Sequence, residues 1–253
     1  MRRGADTILR TAARLVAALA AAALTACVAE SPYTTPDPLV SPYPGDHQAL
    51  WAVVPPANES GLSTVDGAAI GDEIVNAIQQ VRGIRALPIN RTLDAMRELD
   101  LRSIRTSAEA RQLSRTLGAD AIVIGSVTAY DPYEPPALGL TLALFLRSSE
   151  LPESGSLLYD PRLLQMQATE LTAQIEADTT RPSSVGGGLY DARAHDVVAR
   201  LQAYARGRIE PDSPYGWRIY LVSMGLYSEF VAHSAVQDLI ESEWLRLAGA
   251  PAR

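Results

Sequence analysis

The chain of 253 residues is 47% hydrophobic and 20% charged, which excludes a disordered polyelectrolyte and leaves room for one large core. Its net charge is −7 and its basic residues, all arginine, are scattered, so it lacks the basic run that nucleic acid or an anionic headgroup layer would need. A single cysteine rules out an internal disulfide and puts the interest on where it sits.

It sits at position 27, behind a tripartite N-terminus. Arg2, Arg3, Arg10 and Arg14 form a positive region, Leu15 to Leu24 an apolar one, and Leu24-Thr25-Ala26-Cys27 follows. This resembles a bacterial lipoprotein signal with its lipobox. The resemblance implies diacylglyceryl transfer to the Cys27 sulfur, cleavage after Ala26 and acylation of the new amino terminus. The apolar stretch is about half the roughly 20 residues that a membrane span needs. Lipid on Cys27 would then be the membrane anchor, since two or three acyl chains hold where one does not.

Residues 28–48 hold Pro32, Pro36, Pro38, Pro42 and Pro44 among polar spacers and read as a tether, with Tyr33 and Tyr43 as its aromatic side chains. The folded part begins with a strand at Leu50 to Val54. Ser63-x-x-Asp66 then offers an N-cap to a helix carrying Ile70, Ile74, Ile78 and Val81, with Gly83 as its stop. Ile84 to Ile89 reads as a strand and Asn90 as the cap of a short helix with Leu93, Met96 and Leu99 inward. Thr106-x-x-Glu109 is a capping box for a third helix, which Gly118 ends.

Ala121 to Val127 is apolar on both faces. Leu138, Leu140, Leu142, Leu144 and Leu146 alternate with smaller residues, the period of a strand with one deeply buried face. These two read as the central strands of the sheet. Residues 163–177 fit either a helix or a strand. Gly186-Gly187-Gly188 has no following Lys-Ser/Thr, so it reads as a hinge feeding a last strand and not as a phosphate cradle. A helix from Ala194 carries Val198, Leu201 and Ala205. Ser213 and Pro214 open a last helix of about 30 residues, bent at Gly225, with Phe230, Ile240, Trp244 and Leu247 along it. A helix of that length outgrows a small sheet and leaves part of its apolar stripe for a second chain, so oligomerisation is open.

No catalytic, cofactor or metal constellation emerges. His47, His195 and His233 have no partners at metal spacing. Gly125-Ser126-Val127 lies within a strand and is no nucleophile elbow. Asp191 and Asp196 flank His195 but read as a solvated helix start. The most singular surface stretch is Tyr130 to Pro136, too stiff and aromatic for a generic turn. Tyr130, Tyr133, Glu134 and Pro135 are candidate partner contacts there, with Phe230 and Trp244 of the last helix as a second candidate surface.

The lipobox, the Pro-rich tether, the strand ending in Pro-Pro-Ala-Asn (55–58) and the segment Leu-Gly-Ala-Asp-Ala-Ile-Val-Ile-Gly-Ser-Val (117–127) resemble the CsgG/LpoB-like periplasmic lipoproteins over residues 49–146. That group includes the curli secretion-channel lipoprotein and activators of peptidoglycan synthases, on an α/β domain similar to the anticodon-binding fold. The expectation is an α+β protein: a mixed sheet of about four or five strands with helices packed on it, plus a long C-terminal helical extension. The divisions expected are a signal at 1–26, a lipidated tether at 27–48, the α/β domain at 49–192 and the extension at 193–253. The resemblance implies a non-enzymatic envelope adaptor or regulator with a protein partner, no cofactor and no nucleic acid, on the periplasmic face of the outer membrane. An oligomeric secretion component and an envelope hydrolase are the alternatives.

Overall fold

The computed structural model describes residues 38–43, 48–147, 182–210 and 213–249. Cys27, the first part of the tether and the ambiguous stretch 163–177 lie outside them. The protein is α+β, a mixed sheet with helices on it and a long helix at the C-terminal end.

Strand β1 (Ala49–Val53) is buried on both faces, with Trp51 and Ala52 at its centre. Pro55-Pro56 interrupts it, and the two-residue β2 (Ala57–Asn58) resumes pairing beside the same neighbour, giving one more strand than expected. Helix α1 (Gly67–Gln79) is capped by Asp66, whose carboxylate accepts from the Ala68 and Ala69 amides at 2.9 and 3.1 Å. Its expected inward residues, Ile70, Ile74 and Ile78, are all buried. Strand β3 (Ile84–Ala86) is shorter than the sequence indicates, because Pro88 opens the next helix, α2 (Ile89–Glu98). Asn90 is therefore inside the first turn and not its cap. Helix α3 (Ser107–Leu117) carries the full capping box of Thr106 and Glu109 and stops at Gly118, which sits at φ 65°.

β4 (Ala121–Asp131) pairs parallel with β1 and antiparallel with β5 (Ala137–Leu146), which pairs antiparallel with β6 (Ser184–Asp191). The order is β3-β1-β4-β5-β6, with β2 beside β4. The register slips between Val127 and Ala129, a bulge that turns Tyr130 to the side of Leu138. Leu138, Leu140, Leu142 and Leu144 are fully buried on one face, as their alternation requires. On the other face α2 and α3 cover only the first half of β4. Ile122 is sealed there against Leu113 and Met96, whereas Ile124, packed against the same cluster, is only half-buried.

Helix α4 (His195–Ala205) follows β6. The single last helix read from the sequence is broken: a 3-10 turn (Gly216–Arg218) and the short α5 (Ile219–Val222) end at Ser223, which leaves the helical region and caps α6 (Met224–Leu247) through its hydroxyl. The bend belongs to Ser223 and not to Gly225. Most of the apolar stripe of α6 is used within the protein, and only its C-terminal end, Trp244, Leu245 and Leu247, is exposed. Phe230, Val231, Ala235, Val236 and Leu239 are fully buried, in the same core as the sheet leucines and α1.

What lets α6 reach the sheet is the run of glycines, which lies inside β6 and is not a hinge. A Cβ on Gly186 would stand 2.2 Å from the Leu239 backbone nitrogen, and one on Gly187, at φ +97°, would stand 2.2 Å from the Leu140 carbonyl oxygen. Helix and strand run antiparallel in close contact. The Tyr227 hydroxyl donates to the Tyr190 carbonyl at 2.9 Å, Leu239 lies on Gly186, and Glu243 accepts from the Ser184 hydroxyl at 2.5 Å.

Gly186→Ala should therefore destabilise by about 1–3 kcal/mol, since the atoms that its Cβ would meet, Leu239 N and Cα and Asp238 C, are all backbone. Gly188→Ala, whose Cβ would meet nothing within 4 Å, should stay within about 0.5 kcal/mol of the parent. Denaturant unfolding of the two variants checks this; equal stability would place the helix further from the strand.

Candidate functional site

The stretch Tyr130 to Pro136 joins β4 to β5, and its shape comes from one aspartate and one arginine. The Asp131 carboxylate accepts from the Tyr133 amide at 3.2 Å, closing a side-chain turn, and from Arg193 Nη2 at 3.1 Å. Arg193, just past β6, also stands 3.6 Å from Asp191, and the Ala192 amide donates to the Pro136 carbonyl at 2.9 Å. The backbone hydrogen bond from Tyr133, then the one from Arg193, hold the Asp131 carboxyl below its usual range, while the Asp131 hydrogen bond and then the charge of Asp191 raise Arg193. These groups are exposed, so their value is in fixing the loop's direction more than in stability.

The four candidate residues of this loop divide in two. Tyr130 is half-buried against the main core and Pro135, after a cis peptide bond, is half-buried as well. Tyr133 is 79% exposed and Glu134 is exposed. Tyr133 and Glu134 thus form a free tip on a clamped base. The second candidate surface divides too. Phe230 is 0% exposed, among the rings of Tyr190, Tyr204 and Tyr227, so it cannot meet a partner. Trp244 is 48% exposed and its indole N–H donates to the Val40 carbonyl at 3.2 Å.

That bond shows what the sequence did not: the end of the tether is docked. Val40 bridges to Arg82, and the Arg82 amide donates to Leu39 while its carbonyl accepts from Ser41, at 2.7 and 2.8 Å. The Tyr43 ring packs edge-on against Trp51, with its centroid 6.2 Å away, and its hydroxyl donates to Glu243 at 3.1 Å. Glu243 has no exposed surface and gathers three elements. It accepts from Tyr43 of the tether, from Ser184 of β6, and twice from Arg246 one turn on in α6, at 2.8 Å each. Burial alone pushes its carboxyl up, yet the bonds from Arg246, Ser184 and Tyr43 prevail and hold it below the ordinary value. Burial, then the charge of Glu243, pushes the Tyr43 phenol far up, so it stays a donor.

Among the described residues no hydrogen bond joins His195 to Asp191 or Asp196, Ser126 is paired with Thr141 inside the sheet, and no group of His, Cys, Asp and Glu could hold a metal ion. No described helix is long and apolar enough to cross a membrane.

No family model matches the chain, and neither does any curated protein. Among solved structures it is similar to the LpoB C-terminal domain from Salmonella enterica, at 18% identity over 41% of this chain and 75% of that one, TM-score 0.34. It is also similar to lipoprotein GNA1162 from Neisseria meningitidis, at 20% identity over 51% and 99%, TM-score 0.30. A third is the PelC dodecamer from Paraburkholderia phytofirmans, at 19% over 44% and 68%, TM-score 0.29.

Because the Glu243 pKa is depressed in the folded state, its contribution to stability is present in full above the unfolded value near 4.3 and is lost as pH falls through the folded one. Glu243→Gln should cost about 1–3 kcal/mol at pH 7. The gap to the parent should then narrow as pH falls below about 4. Unfolding curves of both proteins across that range check it; a gap independent of pH would mean that folding does not shift the carboxyl, and a gap that widens as pH falls would mean that it is raised and not lowered.

Proposed function

We propose that this chain is a lipid-anchored envelope protein that acts by binding another envelope protein, as an assembly factor or regulator, without chemistry of its own. The observation that carries the reading is the one cysteine of the chain, placed where lipidation needs it, ahead of a folded domain. The resemblance of residues 49–146 to the CsgG/LpoB-like lipoproteins supports the same reading. The stiff Tyr133-Glu134 tip supplies a contact feature: a rigid aromatic loses little freedom when a partner covers it. A secretion pore would need strands with a lipid-facing apolar side, and β5, the leucine-rich one, has its leucines in the core.

Cys27→Ala should release the protein from membranes and leave its melting temperature unchanged, because the folded part begins well beyond the anchor. Fractionation after a salt wash checks this, and a variant that still pellets has another anchor. The same fractionation tests the outer membrane as the location, expected because Val28 and not an aspartate follows the cysteine.

Replacing Tyr133 and Glu134 together by alanine should keep the melting temperature and weaken capture of the co-purifying partner about thirtyfold, or about 2 kcal/mol. Crosslinked pull-down and melting are read on the same double variant. A lowered melting temperature with normal capture would assign the loop to packing and move the contact surface to Trp244.

A further inference from the structure

Beside Phe230, where α4, α6, the end of α1 and the docked tether meet, lies a cleft of about 440 Å³ that the envelope reading does not use. Its charged and titratable lining is Arg200, Tyr204, Arg208 and His233, with the amides of Gln80 and Gln237 and an apolar wall from Pro38 and Leu39. No acidic side chain lines it among the described residues, in a protein whose net charge is −7.

The two guanidinium groups differ. Arg200 is paired with Asp238 at 2.9 Å, and the other oxygen of that carboxylate accepts from the Tyr190 hydroxyl at 2.7 Å. Arg208 has no carboxylate within ion-pair distance among the described residues. It is nonetheless held in place: stacked 4.0 Å above the Tyr204 ring, Nη1 on the Tyr204 carbonyl at 2.8 Å and Nη2 on the Gln80 side-chain oxygen at 3.3 Å. The Tyr204 hydroxyl is turned away, donating to Glu229 at 2.7 Å. His233 packs on the same ring with centroids 4.9 Å apart, and no described group hydrogen-bonds its nitrogens. Burial, then the charges of Arg208 and Arg200, pushes its pKa down to about 4, so at neutral pH it is an uncharged donor and acceptor.

We propose that this cleft binds a small organic anion, whose single carboxylate or phosphate group sits on Arg208 beside His233 and whose apolar body lies along Pro38 and Leu39. A pre-oriented guanidinium with no carboxylate on it among the described residues fits one oxyanion, since each terminal nitrogen keeps a second N–H beside its bond to Tyr204 or Gln80 and little rotamer freedom is left to lose. The volume falls in the range of small-molecule sites, and the mix of apolar wall and few convergent polar groups is theirs too.

The test uses the full-length protein in detergent micelles, titrated with 4-phenylbutyrate, with its neutral amide and with inorganic phosphate, and read by calorimetry and by the His233 ring resonances. Phenylbutyrate should bind saturably, and the His233 pKa should rise by about one unit as the anion offsets the arginines. The amide should bind at least tenfold more weakly. Phosphate binding without phenylbutyrate binding would make the ligand an inorganic ion and remove the apolar part of the proposal. Gln80→Glu places a carboxylate on Arg208 and gives up only the exposed 3.4 Å bond from the Gln80 amide to the Asn76 carbonyl; it should leave the protein folded, with a melting temperature close to the parent's, and abolish phenylbutyrate binding. Equal binding of acid and amide, an unmoved His233, or undiminished binding in Gln80→Glu would each overturn the proposal.

Discussion

The structure depends on a helix lying almost directly on a strand. Side chains between a helix and a sheet ordinarily hold their backbones well apart, but at Gly186 the separation is set by backbone atoms. The contact persists because the two elements keep step. The sixteen steps from Tyr227 to Glu243 advance about 24 Å along α6. The six from Ser184 to Tyr190 advance about 20 Å along β6. Each end of that overlap is closed by a hydrogen bond, from Tyr227 to the strand backbone and from Ser184 to Glu243. With α6 drawn in so far, the leucines of β5 and the isoleucines of α1 close over it as one cluster.

The parts of this fold that could be read in the chain are those specified by neighbours in sequence. Thr106 and Glu109 cap a helix within four residues, Gly118 ends it, and the leucines from 138 to 144 state which face of β5 is inside. The burial of the last helix is hard to read in the chain because its inward residues do not form one narrow stripe. Phe230, Val231, Ala232, Ala235, Val236 and Ile240 cover most of its circumference, since the sheet, α1 and α4 all pack on it. A helix apolar on nearly every side is a buried one, and that signal was present. Its break at Ser223 had a signal as well, a serine hydroxyl three residues ahead of an amide it can cap.

The candidate contact loop was legible as a location and not as a division of labour. Proline and tyrosine density marks Tyr130 to Pro136 as stiff, but which tyrosine faces water is decided by the bulge at Thr128, a feature of the pairing with β5. Tyr43 was illegible for a plainer reason: its partner, Glu243, is 200 residues away. The same holds for the cationic cleft, where Arg208, Tyr204 and His233 are unremarkable singly and gain meaning only when α4 is laid against α6.

The docked end of the tether sets how the domain is leashed. If the acyl chains are on Cys27, the residues from Val28 to Pro38 are what separates the anchor from the docked end, and that many residues span at most about 40 Å. A pull on that leash does not reach β1 first. It loads the Val40 bridge to Arg82 at the end of α1, and behind it the Tyr43 bond to Glu243 and so to α6 and β6, elements at opposite margins of the sheet. Tension from the membrane would thus be shared across the domain at its point of entry, before it could peel the first strand from its neighbours.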